Sequence, residues 1–98
     1  MLNSGVNTGV VTAGNAAVTL IATGGQLFNR VVVVNTATGA GFVSIDGGVT
    51  WAYLPAATTS AAGYLELWQT GTGDIQVKRM PGGADITCFG FANLVQGT

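Results

Sequence analysis

The side chains that could carry out chemistry are few in this chain of 98 residues. It contains four acidic residues, three basic residues and one cysteine, and it has no histidine. General acid–base catalysis would depend on the carboxylates, but no two of them have a spacing that brings them together. Cys88 has no histidine to activate it, and a metal site needs more soft ligands than one thiolate. The sequence therefore predicts no enzymatic activity, no cofactor and no metal site.

Charged residues make up only 7% of the chain, against about 25% in an average globular protein. Three basic residues cannot neutralise the phosphates that nucleic-acid binding requires, so we expect no nucleic-acid partner. The longest aliphatic run, Val31–Val34, is far shorter than the roughly 18 residues of a membrane span. The first residues lack a basic and an apolar region, which predicts no signal peptide and synthesis in the cytoplasm, with Cys88 reduced. A surface with so few charges indicates contact with other protein chains, and a homo-oligomer is expected.

The most specific local motif is SIDGGVTW, residues 44–51. An aspartate in such a turn accepts backbone N–H groups, glycines permit positive φ angles, and a tryptophan packs beneath the turn. We expect a rigid structural turn formed by Ser44, Asp46, Gly48, Thr50 and Trp51. A ligand or calcium role for Asp46 is the alternative. The pattern resembles the Asp-box hairpin of sialidases and related propellers, where the box is structural, but a propeller needs several copies and this chain has one.

The elements that must position these residues are short β-strands. Gly, Asn, Thr and Pro turns separate apolar or alternating segments, and no segment has a helical period. The pattern predicts an all-β fold, a small antiparallel sandwich or barrel with the jelly roll among the candidates. Residues 1–15 are expected to form an extended N-terminal arm with a short strand at Gly9–Thr12, and residues 16–98 a single β domain.

The segment Leu27–Asn35 is the most β-prone part of the chain, and both of its faces are apolar. Alternation places Phe28, Val32 and Val34 on one face, with Leu27, Val31 and Val33 on the other. A two-layer sandwich normally leaves one face of each sheet in water, so the second face needs cover. We expect a neighbouring subunit to cover Val32 and Val34.

Further interface residues are predicted on two later strands. Alternation over Tyr64–Gln69 places Tyr64, Glu66 and Trp68 outward, if the leucines between them face the core. Outward aromatic side chains suit a subunit interface or a sugar platform, and the interface is favoured because few amide or carboxylate groups accompany them. Lys78 and Arg79 form a small basic site, which is either a solvated strand end or a partner for Glu66, Asp74 or Asp85 of a neighbouring subunit.

A wider resemblance covers the segment RVVVVNTATGAGFVSIDGGVTWAYLP, Arg30–Pro55. This segment is similar to small all-β virion proteins of tailed phages, among them capsid decoration (cement) proteins. The resemblance implies a location on the virion capsid surface, the major capsid protein as partner, and a homotrimer that bridges capsid subunits. The resemblance does not indicate which residues would contact the capsid.

Two other functions remain open at this point. One is a carbohydrate- or receptor-binding module of a tail fibre or adhesin, which would use Trp51, Tyr53, Tyr64 and Trp68. The other is a tail or baseplate component, in which the same contacts operate at a different place in the virion.

Overall fold

The computed structural model gives the backbone of residues 3–7 and 11–95 and the side chains of residues 11–94. Within these residues the chain forms strands and no helix, so the all-β prediction is confirmed. The strands are β1 Asn3–Asn7, β2 Val11–Ala13, β3 Val18–Ile21, β4 Phe28–Asn35, β5 Gly41–Ser44, β6 Ala52–Leu54, β7 Gly63–Leu67, β8 Ile75–Arg79 and β9 Ile86–Val95.

The strands form two antiparallel sheets that pack against each other. Sheet A has the order β1-β9-β4-β7, with β2 paired to the first part of β9, and sheet B has the order β3-β8-β5-β6. The pairs β2·β9, β3·β8, β4·β7 and β5·β6 are those of one long hairpin folded over on itself, which is the jelly-roll topology. The predicted small antiparallel sandwich is therefore confirmed.

The predicted N-terminal arm contributes two strands to sheet A within the described residues. Residues 3–7 pair with residues 91–95 of β9, and residues 11–13 pair with residues 86–88. Ala13 is fully buried and Val11 packs against the core. Residues 1, 2 and 8–10 lie outside the described residues, so the strand predicted at Gly9–Thr12 is described only from Val11 onward.

The core lies between the two sheets and is formed by alternate residues of the central strands. Its fully buried side chains include Val31, Val33, Ile75, Val77, Ile86 and Cys88. Burial alternates regularly along β8 and β9, because Gln76 and Lys78 are only half-buried and Phe89 is exposed. Burial of these alternate positions leaves the other side of each sheet for solvent or for other proteins.

The predicted position of Phe28 is wrong. Phe28 pairs with Leu94 and Arg30 pairs with Asn93, so β4 contains one extra residue at this point. Such a β-bulge reverses the alternation of side chains before it. Phe28 therefore points into the core with Val31 and is fully buried.

Candidate functional site

The outer side of sheet A carries a continuous group of side chains, which we name the aromatic face. The register places Val34 between Tyr64 and Phe89, and it places Val32 between Glu66 and Phe91. The members of the aromatic face are Arg30, Val32, Val34, Tyr64, Glu66, Trp68, Phe89 and Phe91. The structure thus brings together five of the seven residues predicted at a subunit interface, because β4 and β7 are neighbours in one sheet.

Several aromatic side chains of this face are exposed. Trp68 is 71% exposed, Tyr64 52% and Phe89 40%, whereas Val32 and Val34 are half-buried. The outward orientation predicted for Tyr64 and Trp68 is therefore confirmed. Large exposed apolar side chains that share one face of a sheet are typical of protein-binding surfaces, whereas isolated ones are common on any protein.

The two charged side chains of the aromatic face bind each other. The Nη2 atom of Arg30 lies 2.6 Å from Oε2 of Glu66, and Nε of Arg30 donates a hydrogen bond to the same oxygen. The guanidinium also lies 4.7 Å from the ring centroid of Trp68, and the hydroxyl of Tyr64 donates to Oε1 of Glu66 at 3.1 Å. The hydrogen bond from Arg30 is the main reason that the pKa of Glu66 is lowered. The face as a whole is therefore electrically neutral.

Phe89 and Phe91 are members of the aromatic face that the sequence interpretation did not assign to an interface. Both lie on β9, opposite in orientation to the buried Ile86 and Cys88. Alternation along β9 indicates that they point outward, but it does not indicate which strands lie beside them. Only the pairing of β9 with β4 places them next to Val32 and Val34.

The two basic residues predicted at the interface lie on sheet B, away from the aromatic face. The Nζ atom of Lys78 is 4.2 Å from the ring centroid of Trp51. Nη1 of Arg79 donates to the carbonyl of Gly83 at 2.7 Å and lies 3.5 Å from Oδ1 of Asp85. The turn after β8 returns Asp85 of the same chain to this strand end, so Arg79 has an acidic neighbour within its own chain. Pairing of Lys78 or Arg79 with an acid of a neighbouring subunit stays a prediction.

The turn predicted from the SIDGGVTW motif is present between β5 and β6. Oδ1 of Asp46 accepts hydrogen bonds from Ser44 Oγ at 2.7 Å and from the backbone N–H of Val49 and Thr50 at 3.1 and 2.9 Å. Oδ2 accepts from Thr50 Oγ1 at 2.5 Å, and Ser44 Oγ accepts from the N–H of Gly48. Because these donors, Thr50 foremost, stabilise the charged carboxylate, the pKa of Asp46 lies far below its usual range.

A groove of about 400 Å³ lies beside this turn, between Asp46 and Thr50 on one side and residues 69–73 on the other. Its lining consists mainly of threonine, glycine and glutamine residues. Among the described residues no group of three or more His, Cys, Asp or Glu side chains could hold a metal ion. The hydrogen bonds of Asp46 all lie within the turn, which agrees with a structural role.

Asn35, at the end of β4, fixes the loops that frame one end of the sandwich. It is fully buried, and its Nδ2 donates to the carbonyl of Gly39 at 2.7 Å and to that of Pro55 at 3.1 Å. Its Oδ1 accepts from the N–H of Ala37 at 3.0 Å. Pro55 in turn packs against the first residue of β7, Gly63, where a Cβ atom would overlap its carbonyl oxygen. The sequence pattern shows Asn35 only as the last residue of the β-prone segment Leu27–Asn35 and does not indicate these hydrogen bonds.

The four aromatic residues of the alternative sugar-binding hypothesis do not form one platform. Tyr64 and Trp68 lie on sheet A, whereas Tyr53 is on the edge strand of sheet B and contacts Phe42, with 6.5 Å between the ring centroids. Trp51 is covered on one side by the ammonium group of Lys78.

Comparison with known proteins identifies no relative: no family model, no curated protein and no solved structure matches this chain. Within the part of the chain that the structure describes, no helix is long and apolar enough to span a membrane.

Proposed function

We propose that this protein is a structural virion protein that decorates a phage capsid, where it binds the major capsid protein as a symmetric oligomer. The observation that carries the proposal is the aromatic face, a neutral and largely aromatic surface on one side of sheet A. The class of virion protein and the expected homotrimer come from the resemblance of residues 30–55 to decoration proteins. These residues include most of β4, all of β5 and β6, and the turn that contains Asp46.

The chemistry of the aromatic face suits a protein partner. The central parts of protein interfaces are enriched in Tyr, Trp, Phe and Arg and depleted of acidic side chains and lysine. The face has this composition, and Glu66, its single carboxylate, already binds Arg30. Burial of this pair against another protein therefore leaves neither charge without a partner.

Decoration would stabilise a capsid mechanically. Each bound subunit contacts more than one capsid subunit, and separation of the capsid subunits then requires many small contacts to break together. Neutral contacts of this kind do not depend on matching charges between the two proteins.

Binding to capsid shells tests the proposal directly. Shells prepared without this protein are mixed with the purified wild type and sedimented, and the bound fraction is measured. We expect co-sedimentation, with affinity reduced about tenfold or more by Trp68→Ala, because exposed tryptophans are common hot spots. Tyr53→Ala is the matched control, since Tyr53 is 54% exposed but lies on sheet B.

Other results would contradict the proposal. A protein that stays monomeric in light scattering and never associates with shells is not a decoration protein. Selective binding on a glycan array that is lost in Trp68→Ala would support the receptor-binding alternative. Imaging of virions with the labelled protein separates a capsid location from a tail or baseplate location.

A further inference from the structure

The outer edge of β7 is an open strand edge with few of the features that normally protect one. β7 is the last strand of sheet A, and its five residues pair with β4 in regular register. The edge strands of sheet B are better protected. β6 has three residues and is followed by Pro55, and β3 has a register shift between Thr19 and Ile21. Short strands, prolines and bulges all prevent pairing between edges, and β7 has none of them.

The hydrogen bonds of β4 determine which groups of β7 point to this edge. The backbone N–H of Thr36 donates to the carbonyl of Thr87 on β9. The backbone N–H and C=O groups of the even-numbered residues at this end of β4 therefore point to β9, and those of the odd-numbered residues point to β7. The odd-numbered residues of β7 lie opposite the odd-numbered residues of β4 and bond within sheet A. The N–H and C=O groups of Tyr64 and Glu66 therefore point to the open edge.

We propose that this edge pairs with the same edge of a second copy of the chain, antiparallel, about a two-fold axis at Leu65. In this register Tyr64 lies opposite the partner's Glu66, and Glu66 lies opposite the partner's Tyr64. Since both residues present their backbone groups outward, each of these two pairs exchanges two hydrogen bonds. The inference rests on the proposed function's expectation of a homo-oligomer and deepens it by naming the contact between copies, which is two-fold and so differs from the homotrimer that the resemblance implies.

The side chains favour this register over the adjacent one with its axis at Glu66. A two-fold axis at Glu66 would place two carboxylates opposite each other, and like charges in that position are destabilising. With the axis at Leu65, each carboxylate lies beside a tyrosine hydroxyl, the group that already donates to it within the chain at 3.1 Å. Leu65 meets its own copy on the inner side of the sheet, where it packs against the core.

The pairing would also enlarge the proposed binding surface. Sheet A of each copy would continue into sheet A of the other, since β7 is the edge strand of both. The two aromatic faces then lie on the same side of one continuous sheet. A dimer of this kind presents two equal surfaces to a repeating array of capsid subunits.

Substitution of Tyr64 tests the register through the mass in solution. Multi-angle light scattering and sedimentation equilibrium should give twice the 9.8 kDa mass of the chain. Tyr64→Glu places two carboxylates opposite each other in each pair and should raise the dissociation constant about tenfold or more. Tyr64→Lys provides a cation opposite Glu66 and should keep the dimer. The control is Tyr53→Glu, because Tyr53 is as exposed as Tyr64 but lies on β6.

A cysteine at the two-fold axis gives a second, independent readout. In Leu65→Cys the two thiols face each other at a non-hydrogen-bonded pair, and mild oxidation should produce a covalent dimer. Val49→Cys is the control, because Val49 is 78% exposed and lies in the turn between β5 and β6, not on β7. Native Cys88 is fully buried and does not interfere. Thermal unfolding verifies that each variant is folded.

A monomer or a trimer at all concentrations would overturn the proposal, because a two-fold contact gives even numbers of subunits. Equal dissociation constants for Tyr64→Glu and Tyr64→Lys, or equal oxidation of Leu65→Cys and Val49→Cys, would also overturn it. A dimer that does not bind capsid shells would leave this inference standing while the proposed function fails.

Discussion

Replacement of Asn35 by alanine should destabilise the fold more than the small size of the asparagine side chain suggests. The substitution removes hydrogen bonds to three backbone groups, the carbonyls of Gly39 and Pro55 and the N–H of Ala37. Each half-buried backbone group that loses its hydrogen-bond partner lowers the free energy of unfolding by about 1 kcal/mol. With three such groups we expect a loss of about 3 kcal/mol. For a domain of this size that corresponds to a fall in melting temperature of roughly 12–24 °C.

The measurement is urea unfolding followed by tryptophan fluorescence, with the free energy of unfolding compared between variants. Asn93→Ala is the matched control, because it removes one side-chain hydrogen bond, from Asn93 Nδ2 to Asn29 Oδ1 at 2.7 Å, on a half-buried surface. It should cost about 1 kcal/mol or less. If Asn35→Ala costs no more than Asn93→Ala, the three hydrogen bonds do not hold the loops as argued.

Further predictions concern the turn, the core and the interface. The pKa of Asp46 is lower in the folded state than in the unfolded chain, so the unfolded chain binds a proton first as the pH falls. The melting temperature should therefore drop in acid, and it should drop less steeply in Asp46→Asn. Burial raises the pKa of Cys88 to about 11, so its thiol should react with a disulfide reagent only after unfolding. Gly63→Ala should prevent stable folding, because the added Cβ would overlap the Pro55 carbonyl. Gly47 has a φ of 75° and open space around it, so Gly47→Ala should lower the free energy of unfolding by only about 1–2 kcal/mol, as measured by thermal melting. Self-association should survive a change from about 0.1 to 1 M salt in light scattering, because the charges of the aromatic face pair within the chain.

Local alternation predicted the orientation of side chains wherever a strand is regular. Tyr64 and Trp68 point outward, and Ile75 and Val77 point inward, as their spacing indicates. The same rule failed at Phe28, because an extra residue in β4 is a property of the pairing with β9 and leaves no trace in the spacing of β4 itself.

The grouping of residues into one surface depended on long-range pairing, which alternation does not contain. Val32, Val34 and Glu66 meet because β4 pairs with β7, whereas Lys78 lies on the other sheet because β8 pairs with β3 and β5. Asn35 was missed for a related reason. A polar residue at the end of a valine run is typical of a turn, and its burial follows only from the return of Pro55 to its side chain.

The pairing of charges within the chain also affects how fast the protein finds its partners. The guanidinium of Arg30 binds Glu66, Arg79 lies beside Asp85, and the ammonium of Lys78 lies over Trp51. Such a surface produces little electric field at a distance, so no electrostatic attraction guides a subunit to its site. Association is then expected near the rate constant of unguided encounters, about 10⁵–10⁶ M⁻¹s⁻¹. Tight binding would then have to come from slow dissociation. The fraction of occupied sites would depend on the concentration of free subunits and on the time allowed for binding, and it would not depend on the ionic strength.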